Sequence, residues 1–449
     1  MFKVWTTFTI LVVCGAVARA DAPRDPDLAK YVERAVSHNR ELAARGAELD
    51  AKTEAIVEAR AGYLPNITLD ARYTKQWGAL DLGELINPAY ATLNQLIGEP
   101  RFPTDLQLML PLALEAKVRV AQPLYVPALG PANRLAKLGA EAERTKTQIA
   151  RREVVAAVSQ TYYAYTRAAH IAELLRQTRK LLEENLAVSA TLVGASKATD
   201  DVVLRARAEL AAHDQRLRAV EQGQRAAARA LAVLTALPVD SALPAPRSLE
   251  VPEVPASVEP LVARARKARG EVALLDVAAR ATTEQRALAR SAYLPNVSVA
   301  LDLGFQRPDL GFETDDGYAA LSVVGSWNLY AGGRDRSRVR QREHELRANR
   351  LRQDELSSQL AAEVTSAWEA AVVARAAVTT ADERVASTEA AHAILARRYA
   401  ANDIPQLEVL VAQNALISAR SERIIAITDL YARLVELDRV IAASPEVSP

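Results

Sequence analysis

Five histidines, one cysteine and a scatter of carboxylates are the groups in this chain best suited to ligate a metal, and their spacing argues against it. His38, His170, His213, His344 and His392 fall along predicted helices, with no pair at the short intervals a zinc site uses. They read as helix-surface or helix-seam residues. Cys14 is the single cysteine, so no disulfide can form within the chain. The run Gly194-Ala195-Ser196-Lys197-Ala198-Thr199 has the glycine, lysine and threonine of a phosphate loop without its spacing, and it follows a helix rather than a strand. It reads as a turn. No cofactor and no catalytic group is expected, and an enzyme is not the expected class.

Residues 1–20 run from Lys3 through the apolar stretch Val4 to Val13 to Ala18-Arg19-Ala20, the pattern of a secretory signal peptide. The mature chain is expected to begin near Asp21. Val13 is too large for a usual lipoprotein site at Cys14, so lipidation is not expected. Loss of Lys3 and Arg19 takes the balance from 56 basic and 55 acidic residues to a formal charge of −1. That is no electrostatic footprint for nucleic acid. No later segment supplies the roughly 20 uncharged apolar residues of a membrane-spanning helix, which leaves strands as the way to enter a bilayer.

The elements that would position any site repeat within the chain. Arg60-Ala61-Gly62-Tyr63-Leu64-Pro65-Asn66 is echoed by Arg290-Ser291-Ala292-Tyr293-Leu294-Pro295-Asn296, Leu124-Tyr125 by Leu329-Tyr330, and Val203-Leu204-Arg205-Ala206 by Val409-Leu410-Val411-Ala412. An internal duplication explains the echo. Between the halves, residues 237–260 hold Pro238, Pro244, Pro246, Pro252, Pro255 and Pro260, which break a helix and mark a junction. Each half is predicted as helix, strand, strand, long helix, helix.

Each Tyr-Leu-Pro ends a helix, because the residue before proline is pushed to an extended conformation, and period-two alternation follows. Ile67, Leu69, Ala71 and Tyr73 oppose Thr68, Asp70, Arg72 and Thr74; Leu114, Ala116, Val118 and Val120 oppose Glu115, Lys117 and Arg119. In the second half Val297, Val299, Leu301, Leu303 and Phe305 oppose Ser298, Asp302 and Gln306, and Leu321, Val323 and Trp327 share an apolar face. Any one of these fits a half-buried strand of a soluble sheet. Four together, each about ten residues long, fit tilted transmembrane strands, with Tyr73, Trp77 and Trp327 at the membrane interfaces. Four strands cannot close on themselves, so the barrel is expected to be shared, with two chains giving eight strands and three giving twelve. Residues 78–111 have no counterpart in the second half and are expected to form an external loop with one short helix.

From Ala128 to Val193 and from Arg334 to Tyr399 the only proline is Pro131, so each segment can be one helix of roughly 100 Å. Leu360, Val364, Ala367, Ala371, Ala374, Val378, Ala381, Val385, Thr388, His392 and Leu395 step by fours and threes, as a coiled-coil seam does. Returning helices from Thr199 to Ala236 and from Leu407 onward would make two antiparallel hairpins. The turns fall at Gly194 to Thr199 and at Ala401 to Pro405. Thr199 is expected to cap the next helix, with Asp200 and Asp201 at its positive end; Asn402 and Asp403 suit a turn, and Pro405 a first helical turn.

Tyr-Leu-Pro-Asn before each first strand, Asn328-Leu329-Tyr330-Ala331-Gly332-Gly333-Arg334 after the fourth strand, and Glu408-Val409-Leu410-Val411-Ala412-Gln413 after the second tip resemble the TolC-like outer-membrane efflux proteins. That resemblance covers nearly all of the mature chain. It implies a mostly α protein with β strands: a homotrimer with a helical tunnel through the periplasm and a shared 12-stranded β-barrel in outer-membrane lipid. It also implies a periplasmic adaptor and an inner-membrane pump as partners, and a tip aperture at Glu408 and Val411, where apolar Val411 departs from a second acidic ring. The divisions expected are a signal peptide at 1–20, a first repeat at 21–236, the proline-rich junction at 237–260, a second repeat at 261–442 and a tail at 443–449. A periplasmic adaptor and a structural coiled-coil protein are the alternatives; neither accounts for two hairpins together with four strands.

Overall fold

The computed structural model describes residues 26–75, 80–106, 109–110, 114–196, 199–247, 250–307, 317–401 and 403–443. The expected signal peptide with Cys14, Trp77, Asn402 and the last six residues lie outside this set. The chain forms two compact units, one made of residues through Glu48, Glu143–Asp276 and Leu351 onward, the other of Leu49–Ala142 and Val277–Arg350. Each draws on both halves of the chain, so the repeat boundaries read from the sequence run across them.

The sequence from the start gives α1 (Pro26–His38) and α2 (Arg40–Ala61), then β1 (Asn66–Tyr73). One helix was expected before β1. Asn39 divides it in two: its Oδ1 accepts from the N–H groups of Glu41 and Leu42, an N-cap for α2, while its Nδ2 donates to Leu234 O at 3.1 Å. A short β2 (Leu80–Asp81), α3 (Gly83–Ile97) and a short β3 (Met109–Leu110) follow, before β4 (Leu114–Tyr125). The expected loop is therefore more structured than its sequence suggested. Asn87 exchanges two hydrogen bonds of 2.9 Å with the backbone of Leu106, and Asn94 does the same with Phe102 at 2.7 and 2.8 Å. These side chains staple the returning chain to α3.

α4 (Leu129–Gly194) and α5 (Asp200–Leu234) form the first hairpin. In the second half, α6 (Glu259–Ala268) and α7 (Gly270–Ser291) lead to β5 (Asn296–Arg307) and β6 (Gly317–Ser326). α8 (Arg334–Ala400) and α9 (Gln406–Val440) close the chain. α4 and α8 are unbroken over 66 and 67 residues, as the absence of interior proline foretold. Every residue of the expected α8 seam from Leu360 to Leu395 is buried or half-buried.

The helical unit packs around Tyr162, Leu231, Val364, Val378, Ile427, Leu430 and Leu434, all buried, each large apolar side chain contributing about 1.5–3 kcal/mol. The Tyr163 and Tyr431 rings stack at 4.4 Å. Proline-rich backbone has few N–H groups but as many carbonyls as any other, and these need donors. Side chains supply them: Tyr165 Oη donates to Leu243 O and Pro244 O, Trp368 Nε1 to Pro255 O at 2.8 Å and Tyr431 Oη to Glu250 O at 2.9 Å. Leu243, Val251, Val254 and Val258 also pack against the core. The junction is a strap bound to the helices rather than a loose linker.

Arg269 repeats at the α6/α7 break what Asn39 does earlier. Its guanidinium is buried and donates to Val440 O at 3.0 Å, to both oxygens of Glu271 and to Glu363. In both halves a polar residue at a helix break thus satisfies a carbonyl at the end of the returning helix, where the helix dipole favours positive charge.

The second unit carries a four-stranded antiparallel sheet in the order β1-β4-β5-β6. Registers are continuous except beside Pro123, where β4 bulges against β5, consistent with proline having no N–H to give to the ladder. A Cβ on Gly304 would come within 2.5 Å of Ala116 O, so only glycine permits the β4–β5 approach there. Gly332 and Gly333 have φ of +61° and +81° and turn the chain from β6 into α8.

Candidate functional site

The sheet registers put Leu69 beside Val118, Val118 beside Leu303, Leu301 beside Leu321 and Val299 beside Val323. One face is therefore apolar across all four strands. It is also the more exposed face, with Leu69 at 73%, Leu321 at 74% and Val323 at 72% accessibility. The charges lie on the other face. Arg119 Nε and Nη2 donate to the two carboxylate oxygens of Asp302 at 2.7 and 2.8 Å, and Glu115 accepts from Arg72 at 3.0 Å and from Lys117 at 2.9 Å. Paired charges on one side and bare hydrocarbon on the other invert the arrangement of a soluble sheet. They suit a wall with lipid outside and water inside. Among the described residues no helix is long and apolar enough to cross a membrane, and none group three metal-ligating side chains.

Among the described residues β1 and β6 are the sheet's two edges, with no strand beyond them. Because the four strands alternate in direction, β6 of one copy laid beside β1 of another is again antiparallel. That geometry permits head-to-tail closure of several copies into a ring.

Aromatic residues collect where the strands meet the helices. Tyr63, Tyr125, Tyr293, Trp327 and Tyr330 are all exposed. Trp327, expected at a strand end, lies one residue beyond β6, and its Nε1 donates to Tyr293 O at 3.0 Å; Gln122 does the same for Tyr63 O at 3.0 Å. Tyr73 is at the opposite end of β1, beside Leu114. Tyr63 and Tyr293, and Tyr125 and Tyr330, are the tyrosines of the two sequence echoes, so the duplication pairs these strand–helix junctions.

The tips belong to the helical unit. α4 ends at Gly194, and Ser196 follows with φ of +55°. Thr199 occupies the N-cap of α5 with extended backbone but makes no side-chain cap: its hydroxyl donates to Asp201 instead, beside Asp200 in the acidic first turn. Pro405 is the N-cap of α9, one position before the first turn expected for it. Asp403 accepts from Arg398 Nε at 2.8 Å. Glu408 and Val411 are both exposed on the first turns of α9. Gln406 bonds Asn185 and Ser189 of α4, and Asn414 donates to Glu209 of α5 at 3.2 Å.

Ion pairs hold each hairpin together: Arg176–Glu221 and Arg179–Asp214 join α4 to α5, and Arg384–Glu422, Arg420–Glu389 and Arg423–Asp382 join α8 to α9. The Arg179 guanidinium beside Asp214 holds its carboxyl below the usual carboxylate range. Burial raises the Glu271 carboxyl, but hydrogen bonds from Arg269 and backbone, with the charges of Arg269 and Arg152, leave it lowered overall. His213 Nε2 donates to Leu175 O at 2.8 Å and His170 Nε2 to Arg247 O at 3.0 Å, structural roles for two of the five histidines.

Solved structures share this architecture from end to end. The outer-membrane channel OprN superposes with a TM-score of 0.74 at 17% identity, covering 95% of this chain and 94% of that one. This is the TolC-like channel fold. VceC from Vibrio cholerae has the TolC-like fold at a TM-score of 0.74 and 16% identity, over 94% of this chain and 97% of its own. The CmeC outer membrane channel of Campylobacter jejuni gives 0.75 and 15%, over 94% and 88%. Residues 261–443 match the family described as outer membrane efflux protein, and no curated protein matches the chain. The resemblance drawn from Tyr-Leu-Pro-Asn and Asn-Leu-Tyr-Ala-Gly-Gly-Arg is borne out.

Proposed function

We propose that this chain is the subunit of an outer-membrane channel-tunnel that passes efflux or export cargo from a periplasmic pump assembly to the exterior. The observation that carries the reading is the inverted sheet, apolar and exposed on one face, charged and paired on the other, with two open edges. Unpaired strand edges cost several kcal/mol per group in hydrocarbon, so the edges call for neighbouring copies. Three copies would make a twelve-stranded barrel, the number favoured by the TolC-like fold. The α4–α5 and α8–α9 hairpins supply the periplasmic tunnel, and Tyr73 and Trp327 sit at membrane interfaces. The TolC-like resemblance implies that an inner-membrane pump, joined through a periplasmic adaptor, supplies the energy, and the chain itself is a passive conduit in this reading. The signal peptide at 1–20 and the repeats at 21–236 and 261–442 remain our division of the chain.

The gate in this reading is the periplasmic tip, where Gly194, Thr199, Asp200, Asp201, Asp403 and Pro405 form the turns. Glu408 is exposed in the first turn of α9 and would form one negative ring, with Val411 an apolar ring one helical turn on. Recording of purified protein in planar bilayers tests the proposal. Pores are expected, with lower cation preference in Glu408→Gln; no pores would refute the channel, and unchanged conductance and selectivity in the variant would refute the role of Glu408.

A further inference from the structure

The charged face of the sheet carries Arg72, Lys117 and Arg119 against Asp70, Glu115 and Asp302, three bases and three acids within three adjacent strands. β6 extends the same face with Ala320 and Ser322 and adds no charge. The pairing is cross-strand: Arg119 stands directly opposite Asp302, and Arg72 opposite Glu115. Asp70 stands opposite Lys117, but the ammonium turns to Glu115 at 2.9 Å, and exposed Asp70 is left without an ion pair.

We infer that this face is a self-neutralised belt lining the barrel lumen, in which Asp302 and Asp70 keep that stretch of the channel from preferring anions. The inference rests on the channel reading above and adds what determines ion preference within the barrel. The bidentate geometry holds Arg119 against Asp302, and side-chain exposures of 43% and 16% leave the guanidinium in contact with water. Removing the carboxylate therefore leaves Arg119 facing the lumen with only the nearby charge of Asp70 to offset it, whereas removing the guanidinium presents an uncompensated anion. Glu115 cannot replace Asp302, because it already holds both Arg72 and Lys117.

The test is the cation-to-anion permeability ratio, read from reversal potentials in planar bilayers under a gradient of dilute potassium chloride. Asp302→Asn should lower the ratio by about twofold and Arg119→Gln should raise it by about twofold, the scale for one charge roughly 7 Å from an ion in a water-like medium after screening. The double variant should return to the wild-type ratio. Asp70→Asn should also lower the ratio, and it breaks no ion pair, so it tests the idea even if Asp302→Asn does not assemble. An unchanged ratio in Asp70→Asn, or shifts of one sign in both Asp302→Asn and Arg119→Gln, would overturn the inference while leaving the channel standing. Absence of wild-type pores would instead overturn the channel reading and this inference with it.

Discussion

Leu321→Arg separates a lipid-facing sheet from a water-facing one. Leu321 lies mid-strand in β6, opposite Leu301, and is 74% accessible in the single chain. If water covers that face, exchanging one exposed side chain for another changes stability by no more than about 0.5 kcal/mol. If hydrocarbon covers it, an arginine near the bilayer midplane costs about 2–4 kcal/mol per chain, and the lower figure already means a roughly thirtyfold shift in the folding equilibrium constant. Ser322→Arg is the control, because the neighbouring residue points to the charged face and should be nearly neutral. The assay is urea titration of protein folded into lipid vesicles, followed by tryptophan fluorescence. Equal stability of the two variants would refute the assignment of the faces.

Three further outcomes follow from the helical unit. Arg269→Met removes a buried cation from Glu271, Glu363 and the Val440 carbonyl, and should cost about 2–3 kcal/mol in denaturant titration, below the range for a fully buried pair because both acids reach water. Trp368→Phe leaves the Pro255 carbonyl without its donor and should cost about 1 kcal/mol, read as a fall in melting temperature. Glu271 and Asp214 are held below their ordinary ranges, so their stabilisation is complete above the unfolded pKa values near 4 and is lost as pH falls through the lower folded ones. Thermal melting should therefore be flat above about pH 5 and decline below it, less steeply in Glu271→Gln and Asp214→Asn.

Periodicity carried the elements well. The steps of four and three from Leu360 to Leu395 name side chains that are buried or half-buried in α8, and the alternation around Ile67, Val118, Leu301 and Leu321 names one face of the sheet. The helix break at Asn39 has no glycine or proline to mark it, and the one at Arg269 only the adjacent Gly270; each break depends on a carbonyl at the far end of another helix, Leu234 or Val440. The strap was legible as a junction but not as part of the core, since Trp368 and Tyr431 reach it across 113 and 181 residues. Likewise Arg119 and Asp302 are 183 residues apart, and only strand register unites them. At the tip, Thr199 was expected to cap α5 by its residue type, yet the nearer Asp201 carboxylate takes its hydroxyl.

The central claim is that several copies share one barrel, and the most direct measurement is the protein mass of the detergent-solubilised membrane form, by light scattering coupled to size exclusion with the bound detergent subtracted. The account predicts three copies. A stable monomer in detergent, or a protein that stays soluble without it, would contradict the shared barrel and the channel built on it.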